Sequence, residues 1–509
     1  MSANREIPGY YFDPEKKRYF KIENSKTAPS EAPWSAENVK RRKIADREAA
    51  RARERLERSK CRVKQSRVLA EPLMGGFLRR ETGRLSPEVP VASFARGLRE
   101  KGSVPLFPPE MPSPVNIAHL YVGNHDCNLG FGVVYGTLDE ESLVGCYIPR
   151  DNNDRIDEDI VNKYRLDSRM PREEIIMCPQ MSSLKYHEPS HRILLTSRKP
   201  GPRVGVSFFS PQVSYGRDTE PEWLIGGADH YENFSRFSPS PDCVANTCTP
   251  APASSDLICL IGTSDGILQF RREGPLTWLT PGGGAAPPSH ATGAAAAGPR
   301  DVFSIDFLAG NPNVVFAGGR SSRLSMADLR TAPRSWEELA IRHASSVAHV
   351  RSLNEHQVLA AGPRSAMCVY DIRFRKEAAA AARPNDGGGG RRRAGRGGGA
   401  GKGAHRPLLT FPGFRNGAHI HFGLDVEPAM GVVAAAHDNG GVGVYSLRSG
   451  RRLACPPVDK VAIRGGVVKG VMFQTLPRDR LPSLFLGEGA NVCKYSFGVL
   501  DGADEILEE

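Results

Sequence analysis

No stretch of this 509-residue chain approaches the ~20 consecutive apolar residues of a membrane-spanning helix, so no membrane partner is expected. Its ten cysteines are scattered without a Cys-x-x-Cys pair, which argues against a zinc ribbon or a disulfide framework. No Gly-x-Ser-x-Gly nucleophile elbow and no phosphate-cradling loop is read from the chain, so neither catalytic residues nor a cofactor nor a metal is expected. The start, MSANREIPGYYF, lacks the charged-then-apolar order of a secretory leader. The expectation is an intracellular, reduced protein, with the nucleus as first compartment and the cytoplasm as second.

Positive charge is plentiful, but the net +11 is unevenly spread. Residues 38–67 carry 13 Lys/Arg against 4 Asp/Glu, and residues 375–406 carry 9 against 2. These two segments hold +9 and +7, which leaves the rest of the chain at −5. Nucleic acid is therefore expected only as a weak partner, through phosphate contacts of the basic segments.

What the chain does have is a repeat. LSMADLR ends in Asp328-Leu329-Arg330 and MCVYDIR ends in Asp371-Ile372-Arg373, with the aspartates 43 residues apart. WD40 propellers repeat every ~40–45 residues, four strands per blade, with a Trp-Asp-like pair closing the third strand. Tyr370-Asp371 is that pair with Tyr for Trp. A third copy, GVGVYSLR, puts Ser446 in the aspartate position and ends in Arg448. It lies 75 residues beyond Asp371, and removing the 31-residue insertion 376–406 leaves 44. Hairpin turns around Asp265 in 256–270 and Asp438 in 432–448 extend the register, as do 483–497 and weaker copies at 120–138 and 183–209. The fold class expected is all-β, an about seven-bladed WD40 β-propeller over residues 116–498, with a mostly disordered or helical basic N-terminal arm.

The low-complexity tracts at about 280–299 and 376–406 cannot build a core and are expected as disordered excursions, the second lying between two blades. Residues 38–70 are expected as a basic helix, since 38–67 lack Gly and Pro and pair Glu with Arg at helical spacing. Lys40, Arg41, Arg42 and Lys43 form a nuclear-localisation candidate. Within residues 1–37, Tyr10, Tyr11 and Phe12 and then Tyr19 and Phe20 flank Asp13-Pro14, which predicts a small aromatic hairpin needing a surface to lie on. Residues 71–115 are read as linker and 499–509 as an acidic tail. His419 and His421 read as two strand histidines rather than metal ligands, having no acidic or cysteine partner at ligand spacing.

The aromatic hairpin, the basic helix behind it and two adjacent Asp-x-Arg strand ends together resemble the WD-repeat substrate receptors of cullin-4 ubiquitin ligases. The likeness is strongest in GYYFDPEKKRYFKI (9–22), 314–373 and 419–497, and weak over roughly 75–300. It implies a non-catalytic subunit whose partners are the ligase's damaged-DNA-binding adaptor and an unknown substrate protein. In such receptors the arginine after the third strand enters the adaptor; Arg330 and Arg373 hold that place here, with Asp328 and Asp371 to orient them, and Arg448 is a weaker third. Ala327 in place of the usual aromatic, and Tyr370 in place of Trp, depart from the family pattern. A WD40 scaffold in a nuclear RNA-processing or chromatin complex is the alternative.

Overall fold

The computed structural model describes residues 10–23 and 34–49 with short gaps, 81, 88–106, 116–157 and 176–250 in parts, 251–280 except 273, 298–331, 336, 340–373 and 405–498 with short gaps. The chain divides into two compact units, residues 1–78 and 79–509.

Among the described residues of the second unit there are seven four-stranded antiparallel sheets, which are the blades. Blade 1 runs Ile117–Gly123, Gly132–Leu138, Ser142–Ile148 and Ile176–Met177. Blade 2 is Met181–His187, Arg192–Ser197, Gly205–Phe209 and Tyr231–Asn233, and blade 3 is Ala245–Pro250, Leu257–Thr263, Ile267–Arg271 and Thr277–Trp278. Blade 4 takes Val302–Leu308, Asn311–Gly319, Arg323–Asp328 and Ile341–Arg342; blade 5 takes His349–Ser352, Gln357–Gly362, Ala366–Asp371 and Leu409–Thr410. Blade 6 is Leu424–Glu427, Val432–Ala436, Val442–Ser446 and Arg452–Leu453. Blade 7 is Val471–Gln474, Ser483–Glu488 and Asn491–Phe497, with Leu98–Pro105 as its outer strand. The all-β, seven-bladed WD40-type propeller expected from the repeat is the fold observed.

Two boundaries differ from expectation. The stretch 71–115, read as linker, contains a helix, α1 (Glu88–Gly97), and the strand Leu98–Pro105 that completes blade 7. That strand pairs Leu98 with Phe497 and Pro105 with Asn491, so the chain's early part closes the ring that its late part leaves open. The insertion at 376–406 does not separate two blades. It joins the third strand of blade 5 to that blade's fourth, Leu409–Thr410, which pairs with Cys368 and Val369. Residues 374–404 and 281–297, including most of both low-complexity tracts, lie outside the described residues, as does the acidic tail 499–509.

Why blades form is visible in blade 5. Gln357–Gly362 and Ala366–Asp371 are mostly apolar and almost wholly buried, so both faces of the sheet must meet neighbours. Apolar clusters accordingly fill the spaces between successive blades: Leu194 with Ile258 and Leu268, Val302 with Leu257 and Val315, Val350 with Phe316 and Tyr370. Burying each such Val, Leu or Ile contributes about 1.5–3 kcal/mol. Successive blades are also stitched at their innermost strands by side chains reaching backbone groups. Thr249 Oγ1 donates to Ile305 O at 2.7 Å, Asp306 accepts from Ser352 N at 2.7 Å, and Asp425 accepts from Phe473 N at 2.7 Å. Gly440, with φ +81°, turns the second strand of blade 6 into the third; a Cβ there would lie 2.2 Å from Ile463 O.

The first unit combines the hairpin and the helix that sequence treats separately. Tyr10–Asp13 pairs with Arg18–Lys21, and Lys16 N donates to Asp13 Oδ1 at 3.3 Å in the turn. Tyr11 and Phe20 face each other across the strands and share one face. Trp34 stacks on Phe20 at 4.9 Å, and Arg42, on the helical stretch that begins at residue 36, sits 5.6 Å over the Tyr11 ring and donates to its hydroxyl. The surface that this aromatic face needs is supplied by the chain's own following segment. Tyr10 and Tyr19, on the other face, are exposed. The Phe12 side chain and residue 43 lie outside the described residues, as does the basic segment beyond residue 49.

Candidate functional site: an arginine-bearing rim

The register of the third strands places four arginines alike. Val314 pairs with Asp328, Gln357 with Asp371, Val432 with Ser446 and Gly132 with Ile148. Two residues beyond each of these lie Arg330, Arg373, Arg448 and Arg150, so all four leave their blades at one rim. They meet different fates there.

Arg330 is held by its own blade. Its Nε donates to Asp328 Oδ1 at 3.0 Å, NH2 donates to Oδ2 at 2.6 Å, and its backbone N–H donates to Oδ1 at 3.0 Å. Arg373 repeats this on Asp371 at 3.0, 2.8 and 3.0 Å. The fork-on-fork geometry fixes each guanidinium plane. Hydrogen bonds from the arginines hold both carboxyls below the usual carboxylate range. Yet the guanidiniums stay open, with 66% of the Arg330 and 55% of the Arg373 side chain exposed. Being exposed, these pairs add little to folding; their effect is to aim two cations outward.

At the third copy Ser446 Oγ accepts the Arg448 N–H at 3.1 Å, imitating the aspartate's backbone role. Its own proton goes to Glu88 Oε1 at 3.1 Å, at the start of α1. Among the described residues Arg448 has no carboxylate partner. Helix α1 lies against this rim, burying Val91, Phe94 and Ala95 in the blade 5–7 core and stacking Phe94 parallel to Phe497. Arg150, in blade 1, turns inward instead. It binds Asp479 and Pro477 O, and Asp479 Oδ2 also lies 3.8 Å from the wholly buried Lys494 Nζ. Sequence reading passed over Arg150 because Ile148-Pro149 stands where Asp-x would be.

The aromatic position before the rim acid also varies. Tyr370 donates to or accepts from His343 Nδ1 at 2.9 Å and Tyr445 pairs likewise with His437 Nε2 at 3.0 Å; burial pushes both phenols up and both imidazoles down, His343 to about 4. Ala327 leaves this space unfilled from its own strand. Trp336, from the loop that follows, is buried in the same apolar cluster, so the departure at Ala327 is offset within the blade. Asp265 and Asp438 serve the opposite rim: each sits in the turn between second and third strands, where Asp438 Oδ2 accepts from Gly417 N at 2.9 Å.

Three further expectations need adjusting. Gly262-Thr263-Ser264-Asp265-Gly266 does spell a nucleophile elbow, but here it is a turn between antiparallel strands, with Ser264 Oγ bonded to Asp265 and to Val244 N. His419 and His421 are not strand residues; they lie in the loop before Leu424–Glu427. No metal-ligand cluster occurs among the described residues. The basic quartet is also not uniform, since Arg42 is engaged with Tyr11 while Lys40 and Arg41 are exposed.

Sequence reading missed the charged belt inside the ring. Asp306, Arg351 and Asp425 pair with Phe316, Leu359 and Ala434, the same register position on three consecutive inner strands. The signal was present as charges inside otherwise apolar strands, in SIDFL, HVRSL and GLDVE. Burial pushes both carboxyls up, opposed by Arg351, whose Nε lies 3.9 Å from Asp425.

No protein-family model matches the chain, and no curated protein matches it in sequence. Among solved structures it is similar to the WD40 β-propeller domain of Doa1, at 9% identity and a TM-score of 0.41, over 79% of this chain and 98% of that one. The seven four-stranded sheets themselves define the class, a WD40-type β-propeller.

Proposed function

We propose that this protein is a non-catalytic substrate receptor of a cullin-4 ubiquitin ligase, docking on the damaged-DNA-binding adaptor through the rim of Arg330 and Arg373. The observation that supports the reading is the repetition, in adjacent blades, of an exposed guanidinium clamped by its own aspartate. Holding an arginine in one orientation before a partner arrives lowers the ordering cost of binding, and arginine is enriched among residues that dominate interfaces. The resemblance of the N-terminal hairpin and of 314–373 to these receptors, most of all to the damaged-DNA-binding-protein-1- and cullin-4-associated factor numbered four, points to the adaptor. The Arg-Gly insertion begins three residues after Arg373 in the sequence. Lys40 and Arg41 would serve as part of a nuclear address.

The second reading is a propeller scaffold whose basic segments contact nucleic acid. Binding of the purified chain to the purified adaptor across a salt series separates the two. Adaptor binding that persists from 50 to 300 mM NaCl supports the receptor; no adaptor binding, with RNA retention that collapses over that range, supports the scaffold.

A further inference from the structure

Seven inner strands surround a cavity of about 150 Å³ on the propeller axis. That is several times the ~10–15 Å³ one water requires. Three cations line it, Lys185, Arg351 and Lys469, together with the imidazoles of His119, His349 and His421. Arg198 adds to this at His421, donating to the imidazole at 2.8 Å.

Two carboxylates, Asp306 and Asp425, stand beside this belt and offset part of its charge, but each also accepts backbone N–H groups and neither forms an ion pair with Lys185. Asp306 accepts from Ser352 N and Phe307 N, and Asp425 accepts from Phe473 N. Arg351 keeps only a 3.9 Å approach to Asp425 and a 3.3 Å bond to Val350 O. Lys185, on blade 2, forms no hydrogen bond or ion pair with any described residue, although it lies among buried strands. Burial and the neighbouring Arg351 depress its amine to about 8, more than the nearby Asp425 and Asp306 restore. A buried ammonium costs several kcal/mol unless something negative meets it.

We propose that the axial channel binds a single phosphate group, with Lys185 Nζ and the Arg351 guanidinium as its principal donors and His421 at its side. Donors converging from several blades around an axis suit a tetrahedral oxyanion better than a flat carboxylate. The group is either inorganic phosphate or the head of a small phosphomonoester. This site uses none of the rim residues, so it stands apart from adaptor docking.

The test is thermal unfolding of the full chain against phosphate, with chloride holding ionic strength constant, alongside glycerol 3-phosphate and the variants Lys185→Met and Arg351→Met. A saturable rise in Tm for the wild type, weakened at least 10-fold in both variants, is the expected result. Glycerol 3-phosphate acting alongside phosphate would make the site one for esters; phosphate acting alone would make it one for the inorganic ion. Phosphorus-31 line broadening by the wild type needs no variant and guards against one that fails to fold. Absence of both broadening and a Tm rise at 10 mM phosphate, or a Tm rise unchanged in a folded Lys185→Met, would overturn the proposal.

Discussion

Ser446 donates its hydroxyl proton to Glu88 across 3.1 Å, joining the end of blade 6 to a helix 358 residues earlier in the chain. The same stretch then supplies the outer strand of blade 7. Residues 88–105 therefore act as a clasp: the helix covers the rim and the strand closes the ring.

The clasp predicts where the chain can be cut. A protein beginning at residue 79 should unfold in one cooperative transition like the full propeller, because the first 78 residues form a separate unit. One beginning at residue 107 exposes the edge of Asn491–Phe497 and uncovers Phe497, and should melt broadly or aggregate. Equal, sharp melts for both would show that the clasp is dispensable.

Much of this was legible beforehand, and its limits are physical. The period between Asp328 and Asp371 identified the propeller because both copies keep their turn and strand pattern. Leu98–Pro105 was not legible: LREKGSVP is polar, breaks at Gly102, and pairs with strand residues almost 400 positions away. The placement of the insertion failed for a related reason. Leu409–Thr410 is only two residues long, too short to show alternation, so the sequence pattern places the insertion between blades rather than within one. Of the site, Asp328, Arg330, Asp371 and Arg373 were legible as local motifs. Arg150 was not, because its partners Asp479 and Pro477 come from another blade, and Lys185 was not, because the cavity it lines is built from all seven inner strands.

The ionic core at the junction of blades 7 and 1 carries a stability prediction. Asp479 faces both Arg150 and the fully buried Lys494. Asp479→Ala leaves two cations without their carboxylate and should cost roughly 3–5 kcal/mol in denaturant unfolding. A loss below about 1 kcal/mol would mean that water already neutralises this cluster.

Blade 5 carries a smaller one. Tyr370→Phe removes the hydroxyl bonded to His343 Nδ1, whose Nε2 already has no partner. A buried imidazole losing this bond, and keeping only its contact with the Ala366 backbone, should lower stability by about 1–3 kcal/mol, without change in the far-ultraviolet spectrum. Unchanged stability would place another acceptor at that ring.

Acid should unfold the propeller in a defined window. Burial lowers His343 to about 4 and His349 to about 3, against about 6.5 in the unfolded chain. Below pH 6.5 the unfolded state binds protons that the fold refuses. Stability from these groups is complete above that pH and falls as pH drops, by about 1.4 kcal/mol per pH unit for each histidine, until the folded groups titrate. Midpoints measured from pH 7.5 to 4.5 should decline below 6.5, and His343→Gln should make the decline shallower. A flat profile over that span would contradict the neutral assignment.

The central claim is tested most directly by reversing the rim. Arg330→Glu/Arg373→Glu should leave the melt intact, since both side chains are largely exposed, while weakening capture of the cullin-4 adaptor by on the order of 100-fold. Arg320→Glu, an equally exposed arginine on the opposite rim, should have no effect. Adaptor bound equally by the wild type and the folded double variant, or by neither, would contradict the account and leave the propeller a scaffold for other partners.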